Sequence, residues 1–422
     1  MKDYRFDGSM TREVLENYLS RAVTHTGLTY DNHAPSRTFE DDLRMLLSEG
    51  AKFIGRCGLI WRSTDEEEQR RVSRERAEII HRADPDIILQ GCVFECIWKP
   101  YIDSLPVPAW VFEEFGLPAE ERNFRYDAML YPDGTYVNHW GEDGGSVEDI
   151  RQTETRMYIY YRARCYIDDG FEAIHFGQVH LIGAKDEGFR YWKETLGRVR
   201  RYAKEHARRH FVLCDAHTHG ITVDGEALFD YNAWPLRLKE IPDKPLCCVL
   251  EKGYFDSIWG RSHGGKTPSG WEADPLPYLV EFDNFDRHPG APLPTVDSHY
   301  AWGYDEIDWL MLHTKEERAE IIRYVYDFIR NTDPCGHLEM PSRRCLTDEY
   351  ETVWDSPDTA WLEQVARDEF LRFETDGRGR AHIFRRYYSA NNPSDACPFG
   401  LGDEAVITAL WREEENEPRG SV

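Results

Sequence analysis

The chain has 422 residues, with 51 Lys and Arg against 77 Asp and Glu, a formal charge of −26. So acidic a surface repels polyanions and excludes nucleic acid as an expected partner. At 41% hydrophobic and 13% aromatic residues, with 13 Trp, the sequence is too rich in core-forming side chains to be a disordered acidic polymer.

The chain opens MKDYRFDGSM, with no apolar signal region, and no apolar window comes near the roughly 18 residues that a membrane span needs. The ten cysteines are scattered singly, several in apolar runs such as FVLCDA (Cys214) and PLCCVL (Cys247, Cys248). Free thiols in a reducing compartment fit this pattern, and no CxxC pair points to zinc. A cytoplasmic protein with no membrane partner is expected. A homo-oligomer is compatible with the composition.

In chain order, the recurring unit is a short apolar run, a polar loop and an amphipathic helix. The first run spans about Arg21–Leu28. The helix after it, FEDDLRMLLSEGA, places Phe39, Leu43, Leu46 and Leu47 on one face and stops at Gly50. The second run is Lys52–Trp61, followed by a charged helix over about Glu66–Arg82 that Asp84-Pro85 ends. The third run is Ile87–Cys96. A Pro-, Trp- and Tyr-rich insertion, Trp98–Gly145, reads as a lid or a dimer arm, and a helix follows over about Val147–Asp168. The fourth run, Phe171–Ile182, precedes a basic helix over about Tyr191–His210. Further runs are Phe211–His217, Leu246–Glu251 and Tyr278–Asp283. A helix at about Lys315–Asn331 leads to the eighth, His337–Met340.

Near-continuous apolar strands are the habit of parallel sheets buried on both faces. Eight of them alternating with helices predict an α/β fold, a (β/α)8 TIM barrel forming a single domain over 1–422. The insertion 98–145 follows strand three. The extension 346–422 is expected to add helices, in DTAWLEQVARDEFLRF and DEAVITALW. An open doubly wound sheet is the alternative, but no GxGxxG or P-loop follows the first strands.

In such a barrel the C-terminal strand ends build the site. These ends carry Arg56, Glu95, Gln178 and His180, then Asp215, His217 and His219 in CDAHTH. Glu251 ends the sixth run, Glu281 and Asp283 the seventh, and His337 and Glu339 the eighth. Glu281 and Asp283 lie two apart and therefore on one side of their strand. Two like charges side by side after the apolar run PYLV call for a functional reason. Among tryptophans in loops, Trp259, Trp271 and Trp302 are the candidate faces for a sugar's C–H surface. The loop SHGGKTPSGW (262–271) is read as covering the barrel mouth.

Strand by strand, this pattern resembles the clan A-type (β/α)8 glycoside hydrolases, which place an acid/base on strand four and a nucleophile on strand seven. The resemblance is one of architecture and covers about Arg21–Met340. Glu281, in YLVEFDNFD, falls at the nucleophile's place. The fourth run, AIHFGQVHLIG, offers Gln178 and His180 where the clan has Asn-Glu, so the acid is expected on a neighbouring strand.

The leading expectation is therefore a glycosidase acting on a small soluble saccharide through a carboxylate pair, with no cofactor. Glu281 is assigned as nucleophile or base and Glu251 as acid/base, with Asp215 as the alternative acid. Asp283, Gln178, His180, His217, Glu95, Arg56, Trp259, Trp271 and Trp302 would bind substrate. A metal-dependent barrel hydrolase, or a sugar isomerase or epimerase, is the alternative, with ligands drawn from His180, Asp215, His217, Glu251 and Glu281. DAHTHG superficially resembles the DxHxH start of amidohydrolases, but sits on the fifth run rather than the first. A non-catalytic saccharide-binding barrel is the third reading.

Overall fold

The computed structural model describes residues 2–416, apart from 31–36, 59–64, 142, 256, 284–300, 355–359, 361–362, 365 and 367–371. Helix α1 (Arg12–Leu19) leads into strand β1 (Ala22–His25). The repeating unit then gives α2 (Phe39–Glu49), β2 (Phe53–Gly58), α3 (Glu66–Ala83) and β3 (Ile88–Cys92). After the insertion come α4 (Thr153–Asp168), β4 (Ala173–His175), α5 (Arg190–His206) and β5 (Leu213–Asp215). The last units are β6 (Asn232–Pro235), β7 (Tyr278–Glu281), α6 (Lys315–Thr332) and β8 (Gly336–Trp354).

The strands run parallel in the order β6-β7-β8-β1-β2-β3-β4-β5, and a parallel bridge from His217 to Ala233 joins β5 back to β6. This is the expected (β/α)8 barrel. The stop at Gly50 acts as read, whereas Leu47, expected on the apolar face of that helix, is exposed. Gly50 ends α2 in the left-handed region at φ 84°, donating to the carbonyls of Leu46 and Leu47. Thr314 and Glu317 form a reciprocal capping box at the start of α6.

The period of two along each strand sorts side chains into two layers. Val23, Ile54, Leu89, Ile174, Cys214, Val280 and Leu338 face outward into the main core with the helices. Ala22, Phe53, Ile88, Ala173, Leu213 and Leu279 face inward and, with Tyr231, make an apolar floor inside the barrel. One inward step further along the chain, the residues turn polar: Gln90, His175, Asp215 and Glu281, with Glu339 level with Glu281 on β8.

The sixth strand differs from expectation. It is Asn232–Pro235, paired with β7, whereas Cys248–Val249 pairs antiparallel with Lys239–Glu240 in a small hairpin beyond it. PLCCVL reads as a buried strand, yet Cys247 is exposed and Cys248 only half-buried. The true strand, NAWP, is short, polar at its start and closed by proline.

The C-terminal extension also differs. Strand β8 continues to Trp354 and pairs antiparallel with β10 (Ala381–Ser389), which pairs in turn with β9 (Arg372–Thr375). Helix α7 (Glu404–Asn416) holds DEAVITALW as expected and packs on α2. Arg44 ties the two by reaching both Asp41 and Glu404. The stretch DTAWLEQVARDEFLRF lies largely outside the described residues.

Strands Ile97–Trp98 and Gly145–Ser146 pair antiparallel at the neck of the insertion. All ten cysteines are free. Among the described residues no helix is long and apolar enough to cross a membrane.

Candidate active site

Glu281 ends β7 and points into the polar layer, with 3% of its side chain exposed. Its Oε1 accepts from Arg56 Nη2 and lies 3.0 Å from His217 Nε2, while Oε2 accepts from Arg344 Nη1 at 2.6 Å. Arg344 Nη2 also reaches Asp283 Oδ1 at 3.1 Å. Burial alone would push the Glu281 carboxyl up, but Arg56 and Arg344, helped by His217, hold it well below the usual range. Burial likewise works against the charge on Arg56, and the carboxylates of Glu281 and Asp283 more than offset it. Glu281 is thus a fixed anion between two guanidinium groups.

Glu339 is the register partner of Glu281 on β8, and neighbouring strands run about 4.8 Å apart. Its situation is the reverse. Its Oε1 is buried and has no hydrogen-bond partner among the described residues. Burial, then the charge on Glu281, push its carboxyl up to about 8, against the smaller pull of Arg56 and Arg344. Gly55 on β2 makes the room: a Cβ there would lie 1.7 Å from Glu339 Oε1.

A second group stands on β3, β4 and β5. Asp215 Oδ2 lies 2.7 Å from His175 Nδ1, and Oδ1 accepts from Gln90 Nε2 at 2.8 Å. The same Gln90 nitrogen reaches Tyr231 OH at 3.1 Å, and Gln90 Oε1 accepts from the Arg56 backbone at 2.9 Å. The rings of His175 and His217 sit 4.7 Å apart at 68°, which links this group to Glu281. Burial lowers the His175 pKa, with Asp215 pulling the other way. Trp234 of β6 contacts the rings of His217 and His219 at 5.6 and 5.3 Å and keeps its Nε1 buried without a partner among the described residues.

Glu306 ties the ends of β6 and β7 together. Its carboxyl accepts from the backbone of Leu236 and Asp283 at 3.1 Å each, from Leu238 at 3.3 Å and from Arg237. Burial pushes it up to about 7. This bracing holds the strand that carries Glu281 against the strand that carries Trp234.

Of the residues singled out in the sequence, Arg56, Asp215, His217, Glu281 and Asp283 converge here. Glu95 and Gln178 form a separate pair at the rim, Glu95 accepting from Gln178 N at 2.8 Å and Nε2 at 3.0 Å. Gly177 permits that pair, since a Cβ would lie 1.9 Å from Glu95 Oε2. His180 is exposed and bonds Thr218 at 3.0 Å.

Glu251 is not with them. It follows the surface hairpin rather than a barrel strand, is exposed, and pairs with Lys239. Trp259 is core, buried against Tyr278 and Phe328 with its indole N–H on the Leu236 carbonyl. Trp271 packs by the floor and donates to the Met10 carbonyl, because 262–271 leads into the N-terminal end of β7 rather than away from its C-terminal end. Trp302 braces the hairpin through the Cys247 carbonyl.

Sequence reasoning missed Gln90, His175 and Arg344 altogether. It noticed Glu339 at the end of the eighth run without giving it a role. The available signal for His175 was its place two residues after Ala173 in an otherwise apolar run. Among the described residues, no three His, Cys, Asp or Glu side chains are placed to hold a metal ion.

No family model and no curated protein matches the chain. Among solved structures, the debranching enzyme of Nostoc punctiforme aligns over 54% of this chain and 53% of its own, at 12% identity and a TM-score of 0.33. This chain thus spans about half that enzyme's length in the alignment. A native form of the same enzyme aligns over 90% and 98%, at 10% identity and a TM-score of 0.36. The isomaltulose synthase SmuA of Protaminobacter rubrum aligns over 65% and 60%, at 12% and 0.31. Likenesses this slight carry no inference about activity, and the chemistry rests on the side chains themselves.

Proposed function

We propose that the chain is a glycoside-processing enzyme acting on a small, soluble, uncharged or cationic saccharide. The observation that carries this reading is the pair on β7 and β8: two carboxyl groups in one register, one drawn well below the usual carboxylate range by its arginines and the other pushed above it by burial. Environments that drive two carboxyls apart in this way assign acid and anion. Glu339 supplies the proton to the departing glycosidic oxygen. Glu281 supplies the fixed negative charge that meets positive charge growing at the anomeric carbon. Arg56, His217 and Arg344 keep that anion in place. Asp215 sits with His175 and Gln90 rather than as a second acid, and Glu251 has no part. The strong negative net charge disfavours polyanionic substrates.

The test is a panel of 4-nitrophenyl and alkyl glycosides. Glu281→Gln is expected to lose turnover on all of them. Glu339→Gln is expected to lose about 10²–10⁴-fold on alkyl glycosides, whose leaving groups need a proton, and far less on nitrophenyl ones. Equal losses on both substrate types would remove Glu339 as the acid.

A further inference from the structure

Building on the glycoside reading, we infer that His175 is the general base, its Nε2 taking a proton from the water that attacks the anomeric carbon. Asp215 and Gln90 act as positioning residues behind it. A chain of hydrogen bonds with a fixed direction at each step supports this. The Arg56 backbone N–H donates to Gln90 Oε1 at 2.9 Å, so the Gln90 amide must turn its Nε2 toward Asp215, 2.8 Å away. The Asp215 carboxylate can only accept, so the ring nitrogen 2.7 Å from its other oxygen carries the hydrogen. That places N–H on Nδ1 and leaves Nε2 bare.

Nε2 is buried and, among the described residues, has no hydrogen-bond partner. A polar atom kept in that state inside a barrel's polar layer calls for a reason. Contacts with His217 at 4.7 Å and Phe94 at 5.8 Å hold the ring's plane. The charged and titratable groups around it are Asp215, His217, Arg56 and its register partner Cys92. Glu281 is a poor rival as base, because Arg56, His217 and Arg344 occupy both its oxygens.

Barrel topology supplies the second observation. In the order β6-β7-β8-β1-β2-β3-β4-β5, β8 and β4 are four strands apart and therefore face each other across the barrel. Glu339 and His175 stand on opposite walls. For a sugar entering that layer, the acid would lie on one side and the base on the other. The water oxygen bonds to the anomeric carbon as the bond to the leaving oxygen breaks. The water proton passes to His175 Nε2 and the Glu339 proton to the leaving oxygen. Exchange with solvent then restores both groups, so the net change is hydrolysis with inversion.

Two measurements on the full chain test this. Long-range 15N spectra at neutral pH, with the His175 signal assigned by its loss in His175→Gln, are expected to show the Nδ1–H tautomer. An Nε2–H tautomer overturns the proposal without any assay. On 4-nitrophenyl glycosides, His175→Ala is expected to fall about a hundredfold or more, azide is expected to restore release of nitrophenol, and the wild-type product is expected to be inverted. Wild-type rates in His175→Ala, or a retained product, overturn the role of His175 while leaving the glycoside reading standing. A wild type inert on the whole panel removes the parent reading and this one together.

Discussion

Replacing Glu339 by Gln changes little in shape but removes a group that titrates differently in the folded and unfolded chain. Burial lifts its carboxyl from 4.5 to about 8. Between those values the native state holds a proton that the unfolded state has lost. Stability from this group is full below about pH 4.5 and declines as pH rises toward 8, by roughly 1.4 kcal/mol per unit. Between pH 5 and pH 8 that amounts to about 3–4 kcal/mol. Gln cannot titrate, so Glu339→Gln should gain on the wild type by about that amount over the interval. Urea unfolding of both proteins at pH 5, 6.5 and 8 measures the difference. A gap between the two that stays constant across the interval would mean Glu339 is ionised in the fold and would refute the assignment.

Gly55→Ala puts a Cβ 1.7 Å from Glu339 Oε1, so turnover should fall sharply, with about 1–3 kcal/mol lost to overpacking. Turnover and thermal unfolding at wild-type values would show that Glu339 does not lie there. Arg344→Met leaves Glu281 and Asp283 short of a buried partner and should cost about 3–5 kcal/mol in urea unfolding. Because Glu281 is held low, its contribution is present above about pH 4.5 and lost on acidification, and that acid-labile part should shrink in the variant. Glu251→Gln removes only an exposed pair with Lys239, so turnover should be unchanged and stability should shift by less than about 1 kcal/mol. A large loss of turnover there would return Glu251 to the site.

Most of the barrel was legible because strands buried on both faces leave near-continuous apolar runs, as at Phe53–Gly58 and Tyr278–Glu281. The sixth strand was not. Asn232–Pro235 is four residues long, ends in proline and owes its place to pairing with β7, while the more apolar Cys247–Leu250 lies in a surface hairpin. That single error carried Glu251 into the expected site. Glu281, Asp215, His217 and Arg56 were legible from the rule that polar residues at C-terminal strand ends converge. His175, Gln90 and Arg344 were not, because their roles depend on partners on other strands: Asp215, the Arg56 backbone and Glu281. Trp259 misled because a ring in a loop can still turn into the core, and Trp271 because loop membership does not say at which end of the barrel a ring lies.

The opposed protonation of the two β7–β8 carboxyls is open to direct observation. Infrared difference spectra at pH 7 between the wild type and each of Glu281→Gln and Glu339→Gln should show a protonated-carboxyl band lost only with Glu339 and a carboxylate band lost only with Glu281. Loss of a carboxylate band with Glu339, or of a protonated band with Glu281, would contradict the acid and anion assignments together.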